Sequence, residues 1–167
     1  MAEEREKSEG KLLEEKLLWK FSHIGKKGRE QVDEAADFCE GYKVFLNEGK
    51  TERECVAAAK RMLENAGYRR FDRKEHYKPG DKVYQINRGK SILATTFGEK
   101  SLDEGVRING AHIDSPRLDL KPCPLFEKNE IAFFKTHYYG GIRKYQWGTV
   151  PLALHGVVVK KDGEMIS

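Results

Sequence analysis

Apolar residues recur at three- and four-residue steps from Arg29 to Leu46, at Val32, Ala35, Ala36, Cys39, Tyr42, Phe45 and Leu46, which is the stripe of one helix face. Asn47 and Gly49 end that pattern. Thr51-Glu52-Arg53-Glu54 reads as a capping box, in which the Thr oxygen and the Glu carboxylate satisfy free N–H groups at a helix start. The helix it opens has an inner face of Cys55 or Val56, Ala59, Leu63 and Ala66, with Gly67 as a left-handed stop. After the turn signal Lys78-Pro79-Gly80 the period changes to short apolar runs, Val83 to Ile86, Ile92 to Phe97 and Val106 to Ile113. Asn87-Arg88-Gly89-Lys90 is placed to close a hairpin between the first two. Further strands are expected within Ile131 to Tyr139 and Thr149 to Lys160, from their β-branched and aromatic content. Pro116, Pro122 and Pro124 lack N–H donors and are expected to interrupt any regular ladder, so a domain junction is placed near Ser115 to Pro124. Two helices followed by strands predict an α/β arrangement.

Two stretches lie outside this alternation. Residues 1–28 are rich in Glu, Lys and Arg around one apolar cluster, Leu12, Leu13, Leu17, Leu18, Trp19 and Phe21, and read as a charged extension with a mobile or surface-docked helix. At the other end, Val157 to Lys160 runs into Lys161-Asp162-Gly163, a hairpin turn signal whose return arm has barely begun at Ser167. An arm without its partner leaves backbone groups unpaired, so a truncated chain is expected, against a natural short end with Val157 to Lys160 at a sheet edge.

Composition removes several classes of function. The 167 residues carry 31 basic and 27 acidic side chains, a mixed surface with net charge +4 and no concentrated tract for nucleic acid. Cys39, Cys55 and Cys123 are odd in number and form no C-x-x-C, which argues against a disulfide framework or a zinc ribbon and fits free thiols in the cytoplasm. No apolar run approaches the roughly 20 residues of a membrane span, and the N-terminus has no signal-peptide character, so no membrane partner is expected.

Gly110-Ala111-His112-Ile113-Asp114-Ser115-Pro116 is the stretch that can carry chemistry. Its approach reads as a buried strand ended by Pro116, placing His112 where functional side chains of α/β sheets commonly sit. Spacing of two puts His112 and Asp114 on one side of an extended chain. A neutral imidazole is a zinc ligand, and a neighbouring carboxylate can hold its other ring N–H. The same pair also suits an ordinary strand-end histidine beside a turn-capping aspartate. His137 and His155 are the other histidines of the second half, and His155, alternating with Leu152 and Leu154, reads as a packed strand residue. His23 and His76 sit among charges and read as solvated. Asp119, Glu127 and Glu130 read as hydrogen-bond acceptors or partners of Lys. Lys135, Arg143 and Lys144 could steer an acidic substrate or simply form a solvated face, and Tyr138, Tyr145 and Trp147 suit an interface or a core. Tyr139-Gly140-Gly141 marks a tight turn or a close approach to another chain.

G-A-H-I-D-S-P-R-L-D-L-K-P, from Gly110 to Pro122, resembles the N-terminal metal motif of the aspartyl aminopeptidase family of zinc metallopeptidases. The resemblance continues through Ile131 to Trp147 and Pro151 to Val159, and touches Tyr84 to Lys90. It implies a pair of zinc ions held by two His and several Asp or Glu, with a Glu beside one ligand as general base. By motif His112 looks like one metal ligand and Asp114 like the carboxylate that orients it, while the remaining ligands would follow Ser167. The implied fold is α/β, the start of a two-metal aminopeptidase catalytic domain, truncated. Residues 1–28 would be an N-terminal extension, 29–116 the first part of the metallopeptidase domain, and 117–167 the beginning of an inserted β-rich dimerisation or lid domain. The parent would remove N-terminal residues, acidic ones among them, from peptides as a homo-oligomer, and this piece alone would be inactive. A short non-catalytic interaction module is the rival expectation, and a basic binding protein without metal a third.

Overall fold

The computed structural model describes residues 8–19, 26 and 28–167; Phe21 and His23 lie outside them. The chain separates into two units, residues 1–43 and 44–167. In the first lies α1, Glu9–Leu17, a charged helix with no buried residue. There too begins α2, Arg29–Glu48, whose predicted periodicity is realised as helix although none of its residues is buried.

The second unit holds the core. Helix α3, Glu52–Asn65, starts at the predicted capping box: the Thr51 side chain accepts from the Glu54 N–H and the Glu54 carboxylate accepts from the Thr51 N–H, at 2.8 Å. It ends before Gly67, whose φ of +83° is the left-handed stop. Its buried residues are Cys55, Val56 and Ala58, with Ala59 and Leu63 half-buried on the predicted inner face, while Ala66, just past the helix, is exposed. Two further buried residues, Val83 and Tyr84, come from the sheet that α3 covers. That sheet runs β1 (Arg69–Arg70), β2 (Lys82–Asn87) and β3 (Ser91–Thr96), with β1 parallel and β3 antiparallel to β2. Tyr84 and Glu64 join sheet to helix, hydroxyl to carboxylate at 2.6 Å. The β2–β3 turn falls where the sequence placed it, with positive φ at Arg88 and Gly89 and the Lys90 N–H donating to the Asn87 carbonyl.

Two features of α3 carry measurable consequences. A Cβ on Gly49 would lie 2.6 Å from the Cys55 Sγ and 3.3 Å from its Cα, so only glycine admits the buried thiol there. Gly49→Ala is expected to destabilise the chain by about 1–3 kcal/mol, the usual cost of overpacking, read as a shift of the denaturant midpoint. The Glu54 carboxylate is pushed up by burial but is held below its ordinary pKa overall by hydrogen bonds from His155 and Thr51. Stability from a depressed carboxylate is present above its unfolded pKa and is lost as pH falls through the folded one. An acid titration of stability is expected to show this loss below about pH 4.3, the unperturbed Glu value, and Glu54→Gln should flatten that limb.

The prolines interrupt the next ladder without ending it: β4, Arg117–Lys128, pairs antiparallel with β5, Ile131–Tyr139. They are accommodated because the register jumps from Leu120↔Thr136 to Leu125↔Phe134, so that residues 121–124 oppose Lys135 alone. Pro122 and Pro124 sit in this irregularity, where no ladder N–H is required, and Cys123 between them has φ +53°. Asn129 and Glu130, both at positive φ, close the hairpin in two residues.

Two other predicted strands are largely absent. Residues 106–113 are irregular and their apolar side chains are exposed apart from the half-buried Ile113, with Ile108 at 81%. An extended segment becomes a strand only with a ladder partner, and among the described residues none pairs with it. Likewise, within residues 149–160 only β6, Val158–Val159, is strand; it pairs with β7, Met165–Ile166, across a turn with Gly163 at φ +88°. The expected terminal hairpin is therefore present with a return arm of two residues.

Candidate metal centre

His112 lies in the irregular segment before β4 and not at the end of a strand, yet its pairing with Asp114 is as the spacing predicts. The ring Nδ1 stands 3.1 Å from the Asp114 Oδ1 and 3.0 Å from the Asp114 backbone oxygen. Both partners can only accept when the carboxylate is ionised, so Nδ1 carries the proton. The neutral ring then has its lone pair on Nε2, and the side chain is 83% exposed. An imidazole held through Nδ1–H by a carboxylate, with Nε2 open, is the form in which histidine binds a divalent metal. The donor set therefore fits zinc at one ligand position.

Asp114 is held from a second side. The Tyr139 hydroxyl donates to its Oδ2 at 2.6 Å, the short distance of an O–H bonded to an anion. This bond above all, with help from the backbone N–H of Asp114 and from His112, keeps the Asp114 carboxyl below its ordinary pKa. The same bond raises the Tyr139 phenol. Tyr139 is itself fixed by the β4–β5 ladder, which sets it opposite Arg117, whose guanidinium lies 4.0 Å from the ring centre. Arg117 is anchored in turn by Asp119 at 2.8 Å and by Glu52, in the first turn of α3, at 3.3 Å. Beyond the ladder, Gly140 has φ +73°, the left-handed conformation of a tight turn, and a Cβ there would make ordinary contact with Pro116 at 3.5 Å.

The roles of Tyr139 and Arg117 are not readable from the sequence, because they follow from a strand pairing that the prolines conceal. Among the described residues no group of three His, Cys, Asp or Glu could hold a metal ion, so His112 and Asp114 stand as a pair. His155 is not packed in a strand; its Nδ1 lies 2.8 Å from the Glu54 carboxylate. His137 stacks on Tyr138 with ring centres 5.0 Å apart, and His76 is exposed as expected. Asp119 accepts from Arg117 where Lys was one expected partner, and Glu127 accepts from the turn N–H of Glu130 at 2.7 Å.

The chain is similar to known proteins in sequence and fold. Residues 45–167 match the family described as aminopeptidase I zinc metalloprotease (M18). A probable M18 family aminopeptidase 1 of Clostridium acetobutylicum is 49% identical over 142 residues, covering 83% of this chain and 30% of the relative. The crystal structure of aminopeptidase I from Borrelia burgdorferi superposes with a TM-score of 0.78 at 41% identity, over 84% of this chain and 35% of that one. An M18 family aminopeptidase structure from Thermotoga maritima gives 0.77 at 40% identity, over 89% and 32%. These matches relate the chain to metal-dependent aminopeptidases as a class. It belongs to the M18 family of zinc metalloproteases, matches the N-terminal part of its relatives and spans about a third of their length. Among the described residues no helix is long and apolar enough to cross a membrane.

Proposed function

We propose that this chain is the N-terminal part of a zinc aminopeptidase and contributes one metal ligand, His112, oriented by Asp114. The observation that carries the reading is the Nδ1–H of His112 held by two acceptors on Asp114, which leaves Nε2 for a cation. In the full-length polypeptide the remaining ligands come from other segments and complete a site for two zinc ions. Such a pair supplies Lewis-acid polarisation of the scissile carbonyl and activation of water. The chain's own share is to hold the His112 tautomer through Asp114, so that the imidazole meets the metal without first losing a proton.

Residues 29–116 begin the catalytic domain on this reading, and 117–167 begin an inserted dimerisation or lid domain through which the enzyme forms a homo-oligomer. All nine residues of β5 are exposed, which supports a role for that region in assembly. The substrates are peptides, with N-terminal Asp or Glu as the preferred class, and the three free cysteines suit a cytoplasmic enzyme. The test is release of N-terminal residues by the full-length polypeptide from Asp-, Glu- and Leu-initiated peptides, before and after chelation. Activity lost to chelator and restored by zinc is expected, highest on the acidic peptides. Turnover indifferent to chelation would overturn the metal assignment.

A further inference from the structure

The metal reading leaves one well-built arrangement without a role, the line of contacts that runs from the start of α3 to the imidazole of His112. Glu52 and Asp119 fix Arg117, Arg117 lies over the Tyr139 ring, and the Tyr139 hydroxyl reaches the Asp114 oxygen that His112 does not use. Its geometry divides the two oxygens of one carboxylate, Oδ2 to tyrosine at 2.6 Å and Oδ1 to histidine at 3.1 Å.

We infer that Tyr139 is a positioning residue for the metal centre: by occupying Oδ2 it locks the Asp114 carboxylate so that Oδ1 holds the His112 ring in its metal-binding tautomer and orientation. The inference rests on the reading of His112 as a zinc ligand and deepens it. A carboxylate on an irregular segment can rotate about its side-chain bonds, and a single bond to imidazole does not fix it. A hydroxyl carried by a laddered strand and clamped by a guanidinium supplies the second fixed point. Arg117 acts one step further back, holding the ring and leaving the carboxylate to the hydroxyl.

The test compares Tyr139→Phe with Tyr138→Phe in the full-length polypeptide. Phenylalanine keeps the ring beneath Arg117 and removes only the hydroxyl, while Tyr138 is stacked on His137 and it is Tyr139 whose hydroxyl bonds Asp114. Zinc affinity is measured by chelator competition, and the ring tautomer of His112 by ¹⁵N NMR of the metal-free protein. For Tyr139→Phe a loss of affinity of about 10-fold is expected, the lower end for loss of an outer partner of a metal ligand, together with a shift of the imidazole toward a mixture of Nδ1–H and Nε2–H forms. Tyr138→Phe should change neither. Unchanged affinity and tautomer in Tyr139→Phe, in a protein whose zinc is lost on His112→Ala, would overturn the inference alone. Equal losses in both tyrosine variants would reduce Tyr139 to a packing residue and overturn it as well. Retention of zinc by His112→Ala would overturn the underlying metal reading.

Discussion

The 167-residue chain on its own is expected to release no measurable product from acidic or neutral aminoacyl substrates, with or without added zinc. Two-metal hydrolysis requires ions roughly 3.5–4 Å apart, each held by several donors. Here the candidate site offers one imidazole and the carboxylate that orients it, and among the described residues no three donors converge. A single neutral imidazole does not retain zinc against water and buffer, so neither the nucleophile nor the polarised carbonyl can be generated. The assay is steady-state turnover with purified chain over a range of zinc concentrations. Zinc-dependent turnover that disappears in His112→Ala would show that this chain alone assembles a working site.

In the full-length polypeptide, His112→Ala is expected to abolish activity and remove metal, whereas Asp114→Asn lowers affinity or turnover by about 10–100-fold without emptying the site. The contrast follows from what each side chain touches. His112 would donate a lone pair to zinc directly; Asp114 sets which ring nitrogen bears the proton and raises the basicity of the other. Asparagine can still accept from Nδ1–H through its amide oxygen, but it lacks the charge that stabilises the developing positive ring and that draws the Tyr139 hydroxyl to 2.6 Å. His155→Ala is the control, since His155 bonds Glu54 at the start of α3 and should affect stability while sparing zinc. Metal content and turnover measured on the same preparations separate these outcomes.

Local signals were legible where the information is local. The capping box at Thr51 and Glu54, the stop at Gly67, the turn at Arg88 and Gly89 and the hairpin at Gly163 all depend on a few neighbouring residues, and all stand as the sequence reads. The pairing of His112 with Asp114 belongs to the same group, because two residues of spacing bring it about even without a strand. What misled was pairing at a distance. Residues 106–113 have the apolar content of a strand but no ladder partner among the described residues, and residues 149–156 are likewise irregular. Pro122 and Pro124 do interrupt the regular ladder as expected, but the four-residue irregularity lets the strand run on past them. That continuation hid the Arg117↔Tyr139 pair and with it the support behind Asp114. Apolar periodicity says that a segment wants a partner; it does not say where the partner is.

The most direct test of the account is an anomalous difference map, recorded at the zinc edge, from crystals of the full-length polypeptide. The account predicts a zinc peak about 2.0–2.1 Å from the Nε2 of His112, with Nδ1 still bonded to Asp114. A fully occupied zinc site that does not include His112 would contradict it.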